Sequence, residues 1–152
     1  MFMIVVLGAT WLWDTTGVTV AGSSSGVSSN APDKLHSPWN IYIDPTTNYL
    51  YIADLGNHRI QFFPNGSTTG ITVSSGWSSI GNPYGVQVFS ESIYVCDNGQ
   101  ATVWNNGSAV AGNNGQGSSS NQLRYPQGFA VDTTVAPGTV YVANSDQNTI
   151  VQ

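Results

Sequence analysis

The sequence predicts an all-β protein assembled from β-propeller blades, and three observations lead to this class. Apolar and other side chains alternate over short runs, as in Ile41, Tyr42 and Ile43, which places successive residues on opposite faces of a strand. No stretch of useful length carries a 3.6-residue apolar period, so helix is expected to be nearly absent. A similar pattern of short strands recurs about every 40 to 50 residues, which is typical of propeller blades.

A proline and a tyrosine-containing strand mark each repeat. The prolines are separated by 45 and 43 residues, and the tyrosines by 43 and 47. The positions are Pro38, Pro83 and Pro126 for the prolines and Tyr51, Tyr94 and Tyr141 for the tyrosines. Nearly equal spacing at two separate positions indicates three units of one design.

Two further strands continue the first two repeats and complete four-stranded antiparallel meanders. They are expected at 60–63 and 71–73, and at 102–104 and 109–111. The whole chain, 1–152, is interpreted as a single propeller region. Its parts are the outer strands of a first blade (1–22), a blade at 37–74, a blade at 82–112 and a partial last blade at 125–152.

This region is predicted to be an incomplete propeller, because closed propellers have about 4 to 8 blades. The chain is therefore expected to be a fragment of a longer protein, with self-association through unpaired blades as a consequence of bare faces and edges. Aliphatic and aromatic residues of the first two strands of each repeat are expected to form the core between blades. They are Ile41, Ile43, Ile52, Val86, Val88, Val95, Phe129, Val131 and Val142.

The composition excludes several classes of partner. Only 3 residues are Lys or Arg and 8 are Asp or Glu, a net charge of −5. Nucleic acid binding needs cations that neutralise phosphates, and an anionic membrane surface also attracts them, so neither partner is expected. The one cysteine, Cys96, excludes an internal disulfide and a cysteine-rich zinc site. It falls where the other repeats have alanine, which predicts a small, buried and unreactive residue.

The stretch from Asp54 to Ile60, which reads Asp-Leu-Gly-Asn-His-Arg-Ile, resembles the signature of the NHL repeat. The starts at Pro83 and Pro126 resemble it as well. The resemblance implies propeller blades of four antiparallel strands and a non-catalytic scaffold for a protein or small-ligand partner. Two departures are visible: Asn40 stands where the repeat has glycine, and the Asn-x-Arg turn is kept only in the first copy.

An enzyme is the alternative that the resemblance leaves open. Related propellers act as metal-dependent lactonases or peptide-amidating lyases, and their metal sites use several histidines from different blades. This sequence has two histidines, His36 and His58, at non-equivalent positions. No catalytic residue, metal site or cofactor is therefore predicted.

Oxygen acceptors occupy equivalent turn positions in the three repeats, at Asp54, Asp97 and Asn144. In the favoured interpretation, each accepts hydrogen bonds from backbone N–H groups in the turn between the second and third strands. The alternative is a ring of ligands for a cation at one mouth of the channel, since calcium takes about six to eight oxygens.

An interaction surface is predicted around the blade prolines and the NHL-like turn. Trp39 and Tyr84 each follow a blade proline directly, and aromatic side chains at the mouth of a channel are candidate binding anchors. Packing in the core is the alternative for both. His58 and Arg59, from the turn, are further candidates for the same surface.

Two Asn-Gly-Ser sequences begin at Asn65 and Asn106. Both match the N-glycosylation pattern, and both match the two-residue hairpin turns that favour Asn-Gly. Low charge and abundant Ser, Thr and Asn favour an extracellular or secreted protein, in which the first interpretation applies.

Overall fold

The computed structural model describes residues 17–77, 80–134 and 138–152. The first sheet contains β1 (Pro38–Ile43), β2 (Leu50–Asp54), β3 (Arg59–Phe63) and β4 (Ile71–Thr72). The second contains β5 (Pro83–Phe89), β6 (Ser92–Asp97), β7 (Thr102–Asn105) and β8 (Ser108–Gly112). The third contains β9 (Pro126–Asp132), β10 (Thr139–Asn144) and β11 (Thr149–Val151). The helical content of these ranges is two single 3₁₀ turns, Leu55–Asn57 and Ser145–Gln147, and no helix in them is long and apolar enough to cross a membrane.

Each sheet is an antiparallel meander in which consecutive strands pair. The inner strands β1, β5 and β9 lie side by side, so the three sheets follow one another as neighbouring blades of a propeller do. The predicted all-β class is confirmed, and the sheets are consistent with blades of a partial propeller.

The segment predicted to supply outer strands of a first blade, 1–22, lies mostly outside the described residues. Residues 17–22 are described and form no strand. Val18 and Val20 are 80% and 65% exposed. A strand needs a partner edge for its backbone N–H and C=O groups, and no described strand pairs with this segment.

Two apolar layers lie between the three sheets. In the first layer, Ile60 of β3 packs with Val86 and Val95 of the second sheet. In the second layer, Val103 of β7 packs with Val142 of β10. Burial of these aliphatic side chains against the next sheet is the main source of stability, at about 1.5–3 kcal/mol for each.

Each sheet therefore has a leading face, toward the sheet that precedes it in the chain, and a trailing face, toward the sheet that follows. Ile41 and Ile43 were predicted to be core, but they are 62% and 59% exposed. They lie on the leading face of the first sheet, which no described sheet covers. Five of the other predicted core residues are buried: Ile52, Val86, Val95, Val131 and Val142. Val88 and Phe129 are half-buried.

Side-chain amides join the inner strands of neighbouring sheets. The backbone N–H of Val86 donates to Oδ1 of Asn40, at 3.2 Å. In the same way, the N–H of Val131 donates to Oε1 of Gln87, at 3.1 Å. Inner strands of different blades do not share a backbone ladder, so these amides supply acceptors that the ladder lacks.

The two Asn-Gly sequences adopt different turns. Asn106 and Gly107 have φ values of 46° and 82° and form the two-residue loop between β7 and β8, as predicted. Asn65 lies instead in the seven-residue connection 64–70 between β3 and β4. Only Gly66 of that pair has positive φ, so the type I′ hairpin, which requires positive φ at both positions, does not form there.

Candidate functional site

The inner strands begin at one edge of the sheets, which we call the proline end because Pro38, Pro83 and Pro126 open β1, β5 and β9 there. The residues that directly follow these prolines are therefore neighbours. Trp39 and Tyr84 form an aromatic pair, with ring centroids 4.8 Å apart and an interplanar angle of 41°. This centroid distance lies within the range of about 4.5–7 Å that is favourable for aromatic pairs. Such a pair contributes about 0.5–1.5 kcal/mol beyond the burial of its area.

The two rings of this pair differ in exposure. Trp39 is 59% exposed, whereas Tyr84 is half-buried. In the third sheet the equivalent residue is Gln127, which is also exposed. Neither ring belongs to the apolar layers between the sheets, so the pair is a surface feature and its core-packing alternative does not apply to Trp39.

A cleft of about 180 Å³ runs along the three inner strands beside the pair. Its walls combine apolar and amide groups, including Asn40, Tyr84, Gln87, Gln127 and Phe129. Exposed aromatic area next to amide donors and acceptors can bind an apolar group and orient it through hydrogen bonds.

The three turn acceptors tie their turns to the segment that leads into the inner strand of the same sheet. Oδ1 of Asp54 accepts from the N–H of His36 at 2.7 Å, and Oδ2 of Asp97 accepts from the N–H of Gly81 at 2.7 Å. Oδ1 of Asn144 accepts from the N–H of the equivalent residue in the third sheet at 2.6 Å. In all three cases the donor lies two residues before the blade proline.

This arrangement differs from the predicted one in where the N–H donors lie. Asp97 bonds the turn after its strand, through the N–H of Gln100 at 3.1 Å, but its other backbone donors belong to the segment before β5. Each acceptor therefore connects the end of the second strand of its sheet to the segment that leads into the first strand. Its hydrogen bonds stay within its own blade, so these contacts do not support a ring of cation ligands shared between blades. In the described ranges, His, Cys, Asp and Glu side chains do not gather in threes.

The 3₁₀ turn packs closely against the same lead-in segment. The N–H of Gly56 donates to the carbonyl of His36 at 2.8 Å. A Cβ on Gly56 would lie 2.6 Å from Cγ of the His36 ring. Glycine is therefore required there by close approach.

Arg59 was predicted to contribute to the interaction surface, but among the described residues its guanidinium forms bonds only within the first sheet and its preceding loop. Nε lies 2.8 Å from Oδ2 of Asp54, and the Arg59 and Asp54 side chains are 11% and 0% exposed. The other nitrogens donate to backbone carbonyls of the preceding loop, those of Asn30, Ala31 and Lys34. Arg59 therefore orders the loop, and its charge is not free for a partner.

His58 lies at the end of the 3₁₀ turn with φ 52° and is exposed. Its Nδ1 contacts the carbonyl oxygen of Gly81, in the lead-in to the second sheet. His58 therefore connects the first blade to the second while its outer surface remains at the proline end. His36 is also exposed there.

The two candidate glycosylation asparagines lie at the edge opposite the proline end, and both are exposed. Oδ1 of Asn106 accepts from the N–H of Ile93 at 2.9 Å, so this side chain also stabilises its hairpin. Asn65 is exposed, and none of the described residues forms a hydrogen bond with its side-chain amide.

Cys96 is fully buried in β6. Burial raises the pKa of its thiol to about 12, and the neighbouring Asp97 charge adds to the effect. Because the thiolate is the reactive form, this cysteine is unreactive in the folded chain.

Sequence reasoning missed the amides that join neighbouring inner strands. One signal was present: Asn40 departs from the glycine of the repeat, and its side chain makes the bond that a glycine cannot. Gln87 carried no such signal, because a glutamine on a strand is equally typical of a solvated position.

Neither a known family model nor a curated protein matches this sequence. The resemblance to NHL repeats therefore rests on the motif residues alone.

Proposed function

We propose that this protein is a non-catalytic interaction scaffold of NHL-type propeller blades that binds a partner at its proline end. The observation that carries the proposal is the pair of Trp39 and Tyr84, in which neighbouring blades present aromatic rings 4.8 Å apart. Trp39 remains 59% exposed. Large exposed aromatic side chains are typical anchors of binding surfaces.

The rigidity of the underlying blades supports this assignment. Asp54 and Asp97 fix the segments that lead into β1 and β5 through bonds of 2.7 Å. Asn40 fixes the spacing of the two inner strands. The rings are thus held in a set arrangement before a partner arrives, which lowers the entropic cost of binding. The partner is expected to offer an apolar group, on a protein segment or a small ligand.

The proposal includes self-association as a second interaction. The leading face of the first sheet exposes Ile41 and Ile43, and the trailing face of the third exposes Ile150. These faces have the same chemistry as the surfaces that meet inside the chain. A second copy is the occupant that fits them, because its third sheet would meet the first sheet as the first meets the second.

A capture experiment with two matched variants tests the main proposal. Wild type, Trp39→Ser and Tyr141→Ser are immobilised and exposed to an extract of cells that express the gene. Tyr141 is 38% exposed on the trailing face of the third sheet, away from the pair. Its variant controls for loss of an exposed aromatic residue, and size exclusion of the same variant reports separately any effect on self-association. We expect one species retained by wild type and Tyr141→Ser and lost from Trp39→Ser, with unchanged melting temperatures. Identical retention by all three proteins would refute the proposed surface.

A further inference from the structure

A second cleft lies between the first two sheets, at the edge opposite the proline end. Its volume is about 730 Å³, within the range of about 300–1,000 Å³ that holds small ligands. Tyrosines of the first sheet form one wall, and the hairpin that joins β5 to β6 forms the other. The lining includes Tyr42, Tyr49, Tyr51, Asp44, Phe89 and Glu91.

The tyrosine wall is an ordered row of rings. Tyr42 lies opposite Tyr51 in the register of β1 and β2, and Tyr51 lies opposite Phe62 in that of β2 and β3. The rings of Tyr49 and Tyr51 stack on Phe62, with centroid distances of 5.5 and 5.7 Å and interplanar angles of 27°. Packing against Phe62 fixes both tyrosines in place. None of the described residues forms a hydrogen bond with the hydroxyls of Tyr42, Tyr49 or Tyr51.

Both charged residues in the described lining of this cleft are acidic. Asp44 and Glu91 line it. The three cations of the chain are committed elsewhere, since Lys34, Arg59 and Arg124 each pair with an aspartate near the proline end. Burial raises the pKa of Tyr42 and of Tyr51, and the Asp44 charge contributes to both shifts. The field of that carboxylate therefore reaches the tyrosine wall.

The hairpin that carries Glu91 is strained. It is a two-residue loop in which Ser90 and Glu91 both have positive φ, 47° and 64°. The corresponding loop between β7 and β8 uses Asn106 and Gly107, which accept this conformation readily. Residues held in such a conformation without a glycine cluster at functional sites. In this turn the strained residue is Glu91, so a carboxylate lines the cleft at a position where a glycine would supply no side chain.

We infer that this tyrosine cleft binds an organic ammonium group, held by the faces of Tyr42, Tyr49 and Tyr51 and by the carboxylate of Glu91. Asp44 contributes its negative charge, while its oxygens accept hydrogen bonds from Thr46 and Thr47. Aromatic faces attract cations through the ring quadrupole. The site lies at the opposite edge from the proposed partner surface and does not depend on it. The ammonium can come from a free small molecule or from a methylated lysine side chain.

Titration of the full chain with choline and with its neutral isostere 3,3-dimethylbutan-1-ol tests the inference. Amide NMR shifts report on binding. We expect saturable shifts around the cleft with choline and binding about tenfold weaker or absent with the isostere. A peptide with one trimethyllysine separates the two sources: tighter binding than choline assigns a protein side chain, and weaker binding assigns a small molecule. Equal binding of choline and the isostere, or no binding of any cation, would overturn the inference.

Two pairs of variants locate the site. Tyr49→Leu removes a ring and should weaken choline binding about tenfold, whereas Tyr49→Phe keeps the ring and should leave it nearly unchanged. Glu91→Gln removes the charge without changing the backbone and should also weaken binding. Glu91→Gly should weaken binding and raise the melting temperature, because glycine relieves the strained turn. If Tyr49→Leu fails to fold, the exposed Glu91 variants still decide the matter. Unchanged affinity in both would contradict the site.

Discussion

The covered and open faces of the sheets carry the same residue types in very different surroundings. Ile60, on the trailing face of the first sheet, is 0% exposed, whereas Ile150, at the equivalent register position of the third sheet, is 70% exposed. Val86, on the leading face of the second sheet, is 4% exposed, and its counterpart Ile41 in the first is 62% exposed. At these positions burial depends on the neighbouring blade. It does not do so across the whole open face, since Ile52, opposite Ile41 in the register, is only 2% exposed.

The largest difference between a covered and an open face is expected on substitution of Ile60 and Ile150. Ile60→Ala is expected to lower the free energy of unfolding by about 2–5 kcal/mol, because it opens a cavity between two sheets. Ile150→Ala is expected to change it by less than about 0.5 kcal/mol. Urea unfolding monitored by circular dichroism measures both. Equal losses would mean that the open face is covered in solution or that the layer between the sheets is not the core.

The amide bonds between inner strands give a smaller effect. Gln87→Ala removes the acceptor for the N–H of Val131 and should cost about 0.5–1.5 kcal/mol. Ala130 occupies the equivalent position on the open trailing face of the third sheet and is exposed. Ala130→Gln should therefore be neutral within about 0.5 kcal/mol. Denaturant titrations of both variants check the pair, and a neutral Gln87→Ala would show that the bond adds nothing in water.

Lowering the pH is expected to act on two turns at the edge opposite the proline end, those of Asp44 and Asp132, and not on the apolar faces of the sheets. The hydrogen bond from the Thr47 side chain, together with those from Thr46, holds the pKa of Asp44 below its usual value, and those from Thr134 do the same for Asp132. Because the folded-state pKa is depressed, this stabilisation is full above about pH 4 and is lost as the pH falls through the folded-state value. Melting temperatures between neutral pH and pH 2 should fall below about pH 4, and Asp132→Asn should flatten that fall. An unchanged profile in the variant would contradict the role of Asp132.

Much of this fold could be predicted from the sequence, because its signals are local. Spaced prolines, tyrosines and alternating strands lead directly to β1 through β11. The position of Ile41 could not be predicted in the same way, since its burial depends on a sheet that no described residue supplies. Asn65 was similarly ambiguous, because the length of its connection, and not the Asn-Gly pair, decides the turn.

The candidate sites were predicted in part. The proximity of Trp39 to Tyr84 follows from their common position after a blade proline. The internal role of Arg59 could not be seen, because its partners Asn30 and Lys34 are far from it in the sequence. The tyrosine cleft was also missed, since only the packing of the second sheet against the first brings Glu91 to the side of Tyr42 and Tyr51.

Light scattering coupled to size exclusion tests the central claim, that the open faces are unpaired versions of the internal ones. We expect wild type to exceed the 16.1 kDa of one chain and to grow with concentration. The double variant Ile41→Asp, Ile150→Asp should elute as a folded monomer, because both positions are exposed and a charge there prevents blade-to-blade contact. A wild-type protein that stays a cooperatively melting 16.1 kDa monomer at high concentration would contradict the claim.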